Sequence, residues 1–176
     1  MKKYLVTVLI LFTIIVTDTS IAQKNKWVVG GKIGMNIDAG TGGGVALQIG
    51  PVGEYSLNKN MAIGSEFTLN TSVGTPVGWV NYFKYYFDVR GSKIKPYAHS
   101  GLGLVFVTGG PFFTILFGGG ANFPIAKNLY IPAELQIGPV FYSYSTGVQG
   151  FGFASQSVSN TRFIINITSG IRYYIN

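Results

Sequence analysis

TRFIINITSGIRYYI, from Thr161 to Ile175, decides the fold. Its odd positions carry Phe163, Ile165, Ile167, Ile171, Tyr173 and Ile175, and its even positions carry Arg162, Asn166, Thr168, Gly170, Arg172 and Tyr174. Apolar and polar residues thus alternate with period two over fifteen residues, with Ile164 the main exception. Soluble strands average about 5 to 6 residues, whereas a tilted strand that crosses a bilayer needs about 9 to 11. The stretch points to a transmembrane β-barrel.

Seven further segments alternate in the same way, with apolar residues on the face taken as outward. They are Trp27 to Ile37, Val45 to Leu57, Ala62 to Val73, Val77 to Asp88, Pro96 to Val107, Phe113 to Ile125 and Leu129 to Ser143. With Thr161 to Ile175 they make eight, an even number that lets one chain close with both ends on one side. The expectation is an all-β, eight-stranded, antiparallel up-and-down barrel over residues 23–176.

Composition separates this reading from a soluble barrel. Charged residues are 11% of the chain, against about 25% in an ordinary soluble domain. A soluble barrel has to clothe its outside with charges that are missing here, so the outer face is assigned to lipid. There is no cysteine, which excludes disulfides and thiolate metal sites. Met1 to Ala22 reads as a secretory signal peptide: basic Lys2 and Lys3, an apolar run from Tyr4 to Val16, then small residues at Ser20 and Ala22. That apolar run is short of the roughly 20 residues a spanning helix needs. Without Lys2, Lys3 and Asp18 the net charge falls from +7 to 11 − 5 = +6, much of it in turns rather than in a basic patch with stacking aromatics. Nucleic-acid binding is not expected.

The connections sort into two sets. Asn58 to Asn60, Val89 to Lys95 and Ala126 to Asn128 share the side of the termini; Asp38 to Gly44, Gly74 to Pro76, Thr108 to Phe112 and Tyr144 to Asn160 lie opposite. In outer-membrane barrels the longer loops face outside, which places both termini in the periplasm. Trp27, Tyr55, Trp79, Tyr85, Phe87, Phe141 and Tyr173 fall near strand ends, as an aromatic girdle does.

NYFKYYF (Asn81 to Phe87), KPYAHSGLGL (Lys95 to Leu104), FGGGANFPIAKNLYIPAELQIG (Phe117 to Gly138) and GIRYYI (Gly170 to Ile175) resemble the small outer-membrane β-barrel domain family, often labelled porin-like and related in shape to OmpA-like and OmpW-like eight-stranded barrels. The resemblance covers nearly the whole chain after residue 22 and consists of strand and turn patterns. It implies an outer-membrane location, contact with outer-membrane lipid and the barrel-insertion machinery, and a monomer. Such barrels usually end on an aromatic residue, whereas this chain ends Tyr173-Tyr174-Ile175-Asn176.

The inward face carries the polar chemistry. All three Glu, namely Glu54, Glu66 and Glu134, fall on it, with Lys32, Lys84, His99, Arg162 and Arg172. Charges shut inside a narrow barrel have to pair. Counting registers from the turns places Glu66 opposite Lys84, Lys84 beside His99, Glu54 beside Glu66 and Asn122 next to His99, with Glu134 beyond and Arg172 diagonal to the end. The expectation is a polar network of Lys32, Glu54, Glu66, Lys84, His99, Asn122, Glu134, Arg162 and Arg172 that plugs and rigidifies the barrel. The inward glycines, among them Gly64, Gly118, Gly120 and Gly138, allow either tight packing or a thin water-filled passage.

Other motifs carry no chemistry. Gly40-Thr41-Gly42-Gly43-Gly44 lacks the Lys-Ser/Thr of a phosphate loop. His99 and Ser100 are strand neighbours on opposite faces and form no dyad, and a single histidine with distant carboxylates lacks metal-ligand spacing. No catalytic, cofactor or metal residues are expected. The uncharged loop Tyr144 to Asn160 offers Phe151 and Phe153 to an extracellular partner. The functional expectation is a non-enzymatic role in envelope integrity, adhesion or surface interaction. The alternatives are a narrow conduit for small or apolar solutes and, more distantly, a lipid A modifying enzyme.

Overall fold

The computed structural model describes residues 27–40, 43–72, 76–107, 110–146 and 156–175. The expected signal peptide, Met1 to Ala22, and the loop residues Phe151 and Phe153 lie outside the described residues. Eight strands follow one another as β1 (Trp27–Asp38), β2 (Val45–Ser56), β3 (Met61–Asn70), β4 (Val77–Tyr86), β5 (Lys95–Val107), β6 (Gly110–Ala126), β7 (Leu129–Thr146) and β8 (Gln156–Ile175). Each pairs antiparallel with its sequence neighbours, and β8 returns to β1, so the sheet closes with no free edge. Trp27, Ile175 and the short turns gather at one end, the turn rim. Asp38, Asn70, Val107 and Thr146 end their strands at the other, the loop rim.

Alternation sets the two faces. In β4, Gly78, Val80, Tyr82, Lys84 and Tyr86 are buried while Trp79, Asn81, Phe83 and Tyr85 are exposed. The other strands follow suit, and among the described residues no Asp, Glu, Lys or Arg occupies an outward position of a strand. A cationic side chain there would cost about 2–4 kcal/mol at the bilayer midplane, so the bare wall of Ile33, Leu47, Leu102, Phe117, Leu135 and Ile171 is a lipid-facing surface. Aromatic pairs mark both rims: Trp27 meets Tyr55 at 4.9 Å near the turns, and Phe67 stacks on Trp79 at 5.7 Å nearer the loops.

The registers differ from simple turn counting wherever turn chemistry intervenes. Asn58 Oδ1 accepts hydrogen bonds from the backbone N–H of Asn60 (2.9 Å) and Met61 (2.8 Å), which centres the β2–β3 turn on Lys59. Val52, not Glu54, therefore stands opposite Glu66. At the next hairpin the Asn70 N–H donates to the Pro76 carbonyl, and Glu66 comes to face Val80 while Lys84 faces Ala62. The β5–β6 ladder runs to Val107↔Gly110, with Gly110 at a φ of 131°, and in that register His99 faces Gly118 rather than Asn122. Only β4–β5, turning through Gly91 at a φ of 75°, pairs Lys84 with His99 as the count implies.

The expected loop Tyr144 to Asn160 is shorter than read. The β7–β8 ladder continues through Tyr144↔Val158, Ser145↔Ser157 and Thr146↔Gln156, because stopping earlier would leave adjacent backbone donors and acceptors unpaired. Between β6 and β7 a register shift at Pro124/Ala126 marks a bulge near the turn rim.

Candidate functional site: the barrel lumen

The turn-rim half of the lumen is filled. Glu54 is its hub, accepting hydrogen bonds from Lys84 Nζ (2.7 Å), Tyr86 Oη (2.8 Å), Tyr82 Oη (3.0 Å) and the Arg172 guanidinium. Glu66 pairs instead with Lys32 at 2.8 Å. Glu134 accepts from Tyr97 Oη at 2.7 Å, and Arg172 Nη2 and His99 Nδ1 each lie 3.8 Å from its Oε2. The two parts are joined by Gln136, whose Nε2 donates to Glu134 (2.8 Å) and Glu66 (3.3 Å) and whose Oε1 accepts from Asn166 (3.0 Å).

Lys32, Lys84 and Arg172 face Glu54, Glu66 and Glu134, and their formal charges cancel, 3 − 3 = 0. Each ion loses several kcal/mol of hydration on burial, and the carboxylates recover it through multiple charged and phenolic donors rather than single contacts. The Lys84 ammonium also sits 4.3 Å from the Tyr97 ring centroid, which adds a cation–π contact to the Glu54 pair.

Of the nine residues expected to form one network, seven come together: Lys32, Glu54, Glu66, Lys84, His99, Glu134 and Arg172. Arg162 does not join them. It lies at the loop rim, where its Nη1 donates to Asp38 at 3.0 Å and its guanidinium lies over Tyr142. Asn122 is also apart, donating to Tyr174 Oη at 3.3 Å near the turn rim. Counting registers also placed Glu54 and Glu66 side by side; the Asn58 turn separates them, and each has its own cation. Sequence reasoning missed Tyr82, Tyr86, Tyr97 and Gln136, although all four sit on inward positions of strands already drawn; attention to charge alone passed over the neutral donors that satisfy the carboxylates.

Aromatic rings occupy the room left by inward glycines. A side chain at Gly64 would strike the Tyr82 ring, one at Gly118 the His99 ring, and one at Gly120 the Tyr97 hydroxyl at 2.9 Å. In this half the glycines serve tight packing, not a passage. His99 packs between Tyr82 and Tyr97, while Ser100 faces outward.

The loop-rim half is different. Its inward residues are shorter, among them Ala46, Thr68, Gly78, Val105 and Thr114, and they leave a cavity of about 530 Å³ floored by Glu66 and Asn166. One wall is apolar, built on Val80, Phe112, Leu116, Val140 and Ile164 with Val105, Val107 and Tyr142 against them. The facing wall is polar, carrying Asn36, Gln48, Thr68 and Asn70.

No protein-family model matches the chain, and no curated protein matches it in sequence. Solved structures share its fold. It is similar to Neisserial surface protein A, with a TM-score of 0.63 at 14% identity over 85% of this chain and 97% of that one. The N-terminal β-barrel domain of OprF from Pseudomonas aeruginosa gives 0.56 at 14% identity, over 83% and 97%. The outer membrane protein AlkL, in lipid bilayers, gives 0.55 at 12% identity, over 86% and 90%. The shared architecture is the small eight-stranded barrel of outer membranes.

Proposed function

We propose that the chain is an exported, monomeric outer-membrane barrel with a non-enzymatic role, serving envelope integrity or surface contact rather than passage of solutes. Met1 to Ala22 directs export, the insertion machinery places the barrel, the termini face the periplasm and the loop rim faces outside. The observation that carries this reading is the charge-balanced belt of Glu54, Lys84, Arg172, Glu134, Glu66 and Lys32, which supports a sealed lumen. Eight strands enclose only enough room for side chains, and here long side chains meet across it.

Reconstitution in planar bilayers tests the seal. The expected record shows no sustained ionic current, and a steady conductance would overturn the sealed reading in favour of a conduit. Deletion of residues 147–155 tests the surface role: the barrel should keep its heat-modifiable gel migration while cells lose surface binding. Unaltered binding would leave envelope integrity, read as detergent sensitivity of the deletion strain, as the role.

A further inference from the structure

Among the described residues, buried side-chain atoms without a hydrogen-bond partner occur in both halves, at His99, Asn122 and Arg172 in the plug and at Gln48 and Asn70 toward the loops, but of these five residues Gln48 and Asn70 alone line the loop-rim cavity. Gln48 and Asn70, directly paired across β2 and β3, are 2% and 9% exposed, and Gln48 Nε2 and Asn70 Oδ1 have no hydrogen-bond partner among the described residues. Both line the cavity. A buried donor or acceptor without a partner costs about 1–3 kcal/mol, and this is an adjacent donor and acceptor on one wall. The opposite wall is Val80, Leu116, Val140 and Ile164, which water covers poorly. We propose that this half of the lumen is a binding cup for an uncharged amphipathic molecule with a lactam edge, whose cis amide turns C=O and N–H to the same side, on a short apolar body.

The two walls determine that chemistry. The ligand carbonyl accepts from Gln48 Nε2, the ligand N–H donates to Asn70 Oδ1, and its apolar body lies against the aliphatic wall. Charge is disfavoured because the ions around the cup are already matched: Glu66 in its floor with Lys32, and Asp38 with Arg162 at its rim. A volume of about 530 Å³ lies within the usual range for small-molecule sites, about 300–1,000 Å³. The belt beneath closes the way onward, so the cup holds its ligand and does not transmit it.

The test is an NMR titration of the isotope-labelled full barrel in lipid nanodiscs with 5-butyl-2-pyrrolidinone, a lactam whose C=O and N–H share one edge, and its N-methyl analogue, 5-butyl-1-methyl-2-pyrrolidinone, which lacks the N–H. The secondary amide should shift the Gln48 side-chain amide and the methyls of Leu116, Val140 and Ile164 saturably, and should bind about tenfold more tightly than the analogue, the worth of one buried hydrogen bond. Asn70→Val should make the two amides equal, Gln48→Met should weaken both, and Leu116→Trp should abolish binding by filling the cup. Val105→Trp on the same wall replaces Leu116→Trp if heat-modifiable migration shows that the latter misfolds. Shifts confined to outward methyls such as Ile33 and Leu47 would mean lipid partitioning and overturn the proposal. So would equal binding of the two amides by the native barrel, or saturable binding that survives in the tryptophan variant that folds.

Discussion

The two halves of the lumen share one alternating pattern and come to opposite ends. Toward the turns the inward positions carry Glu54, Tyr82, Lys84, Tyr86, Tyr97 and Arg172, whose long side chains meet across the barrel and hydrogen-bond to the buried carboxylates. Toward the loops they carry Ala46, Thr68, Gly78 and Thr114, which are too short to meet, and a cavity results. Alternation decides which residues face inward; reach decides whether the interior is solid. A barrel of fixed strand number thus becomes a plug or a cup through side-chain length alone.

This contrast can be broken by mutation. Glu54→Gln should have the largest effect, because it leaves Lys84 and Arg172 as buried cations with reduced compensation. The expected loss is about 3–5 kcal/mol, read by urea unfolding in lipid vesicles, and a loss below about 1 kcal/mol would remove the belt as a source of stability. Lys84→Met comes next, at about 2–3 kcal/mol, since Arg172 and two tyrosines still serve Glu54 while one charged hydrogen bond is lost. Unchanged unfolding of that variant would argue against the belt as a coupled unit.

At the loop rim, Arg162→Gln should cost no more than about 1 kcal/mol, because the Asp38 pair is partly exposed and screened by solvent. If it proved as damaging as Glu54→Gln, the two halves would not differ in kind. The smallest effect belongs to Asp88, in the β4–β5 connection, whose carboxylate is held below its usual range by the Asn60 and Lys59 donors beside it. A lowered pKa means stability that is present above the unfolded value near 3.8 and lost as pH falls through the folded one. Asp88→Asn should therefore leave neutral-pH stability almost unchanged and remove a shallow slope below that value, measurable by thermal unfolding across acid pH.

Much of the fold was legible in the chain, and the reason is visible in particular residues. Trp79, Phe83 and Tyr85 read outward and Lys84 inward because neighbouring side chains on a strand must point oppositely. The pairing of Lys84 with His99 was also readable, since Gly91 marks a compact turn. The partners of Glu54 and Glu66 were not. Each depends on a turn centre, which lies one residue from the counted position at Asn58 and two residues from it at the Pro76 hairpin, and every one-residue move of the centre slides the register by two.

The sequence by itself determined the strand number, the face of each residue and the burial of all three glutamates, because period-two alternation and the absence of outward charge are local properties of the chain. Only the tertiary structure decided that Glu54 rather than Glu66 receives Lys84, that Arg162 leaves the belt for Asp38, and that Gln136 joins its two parts. The Lys84–Glu54, Gln136–Glu66 and Arg162–Asp38 contacts join residues 30, 70 and 124 positions apart in sequence, across a lumen whose shear is a property of the closed sheet and not of any one strand.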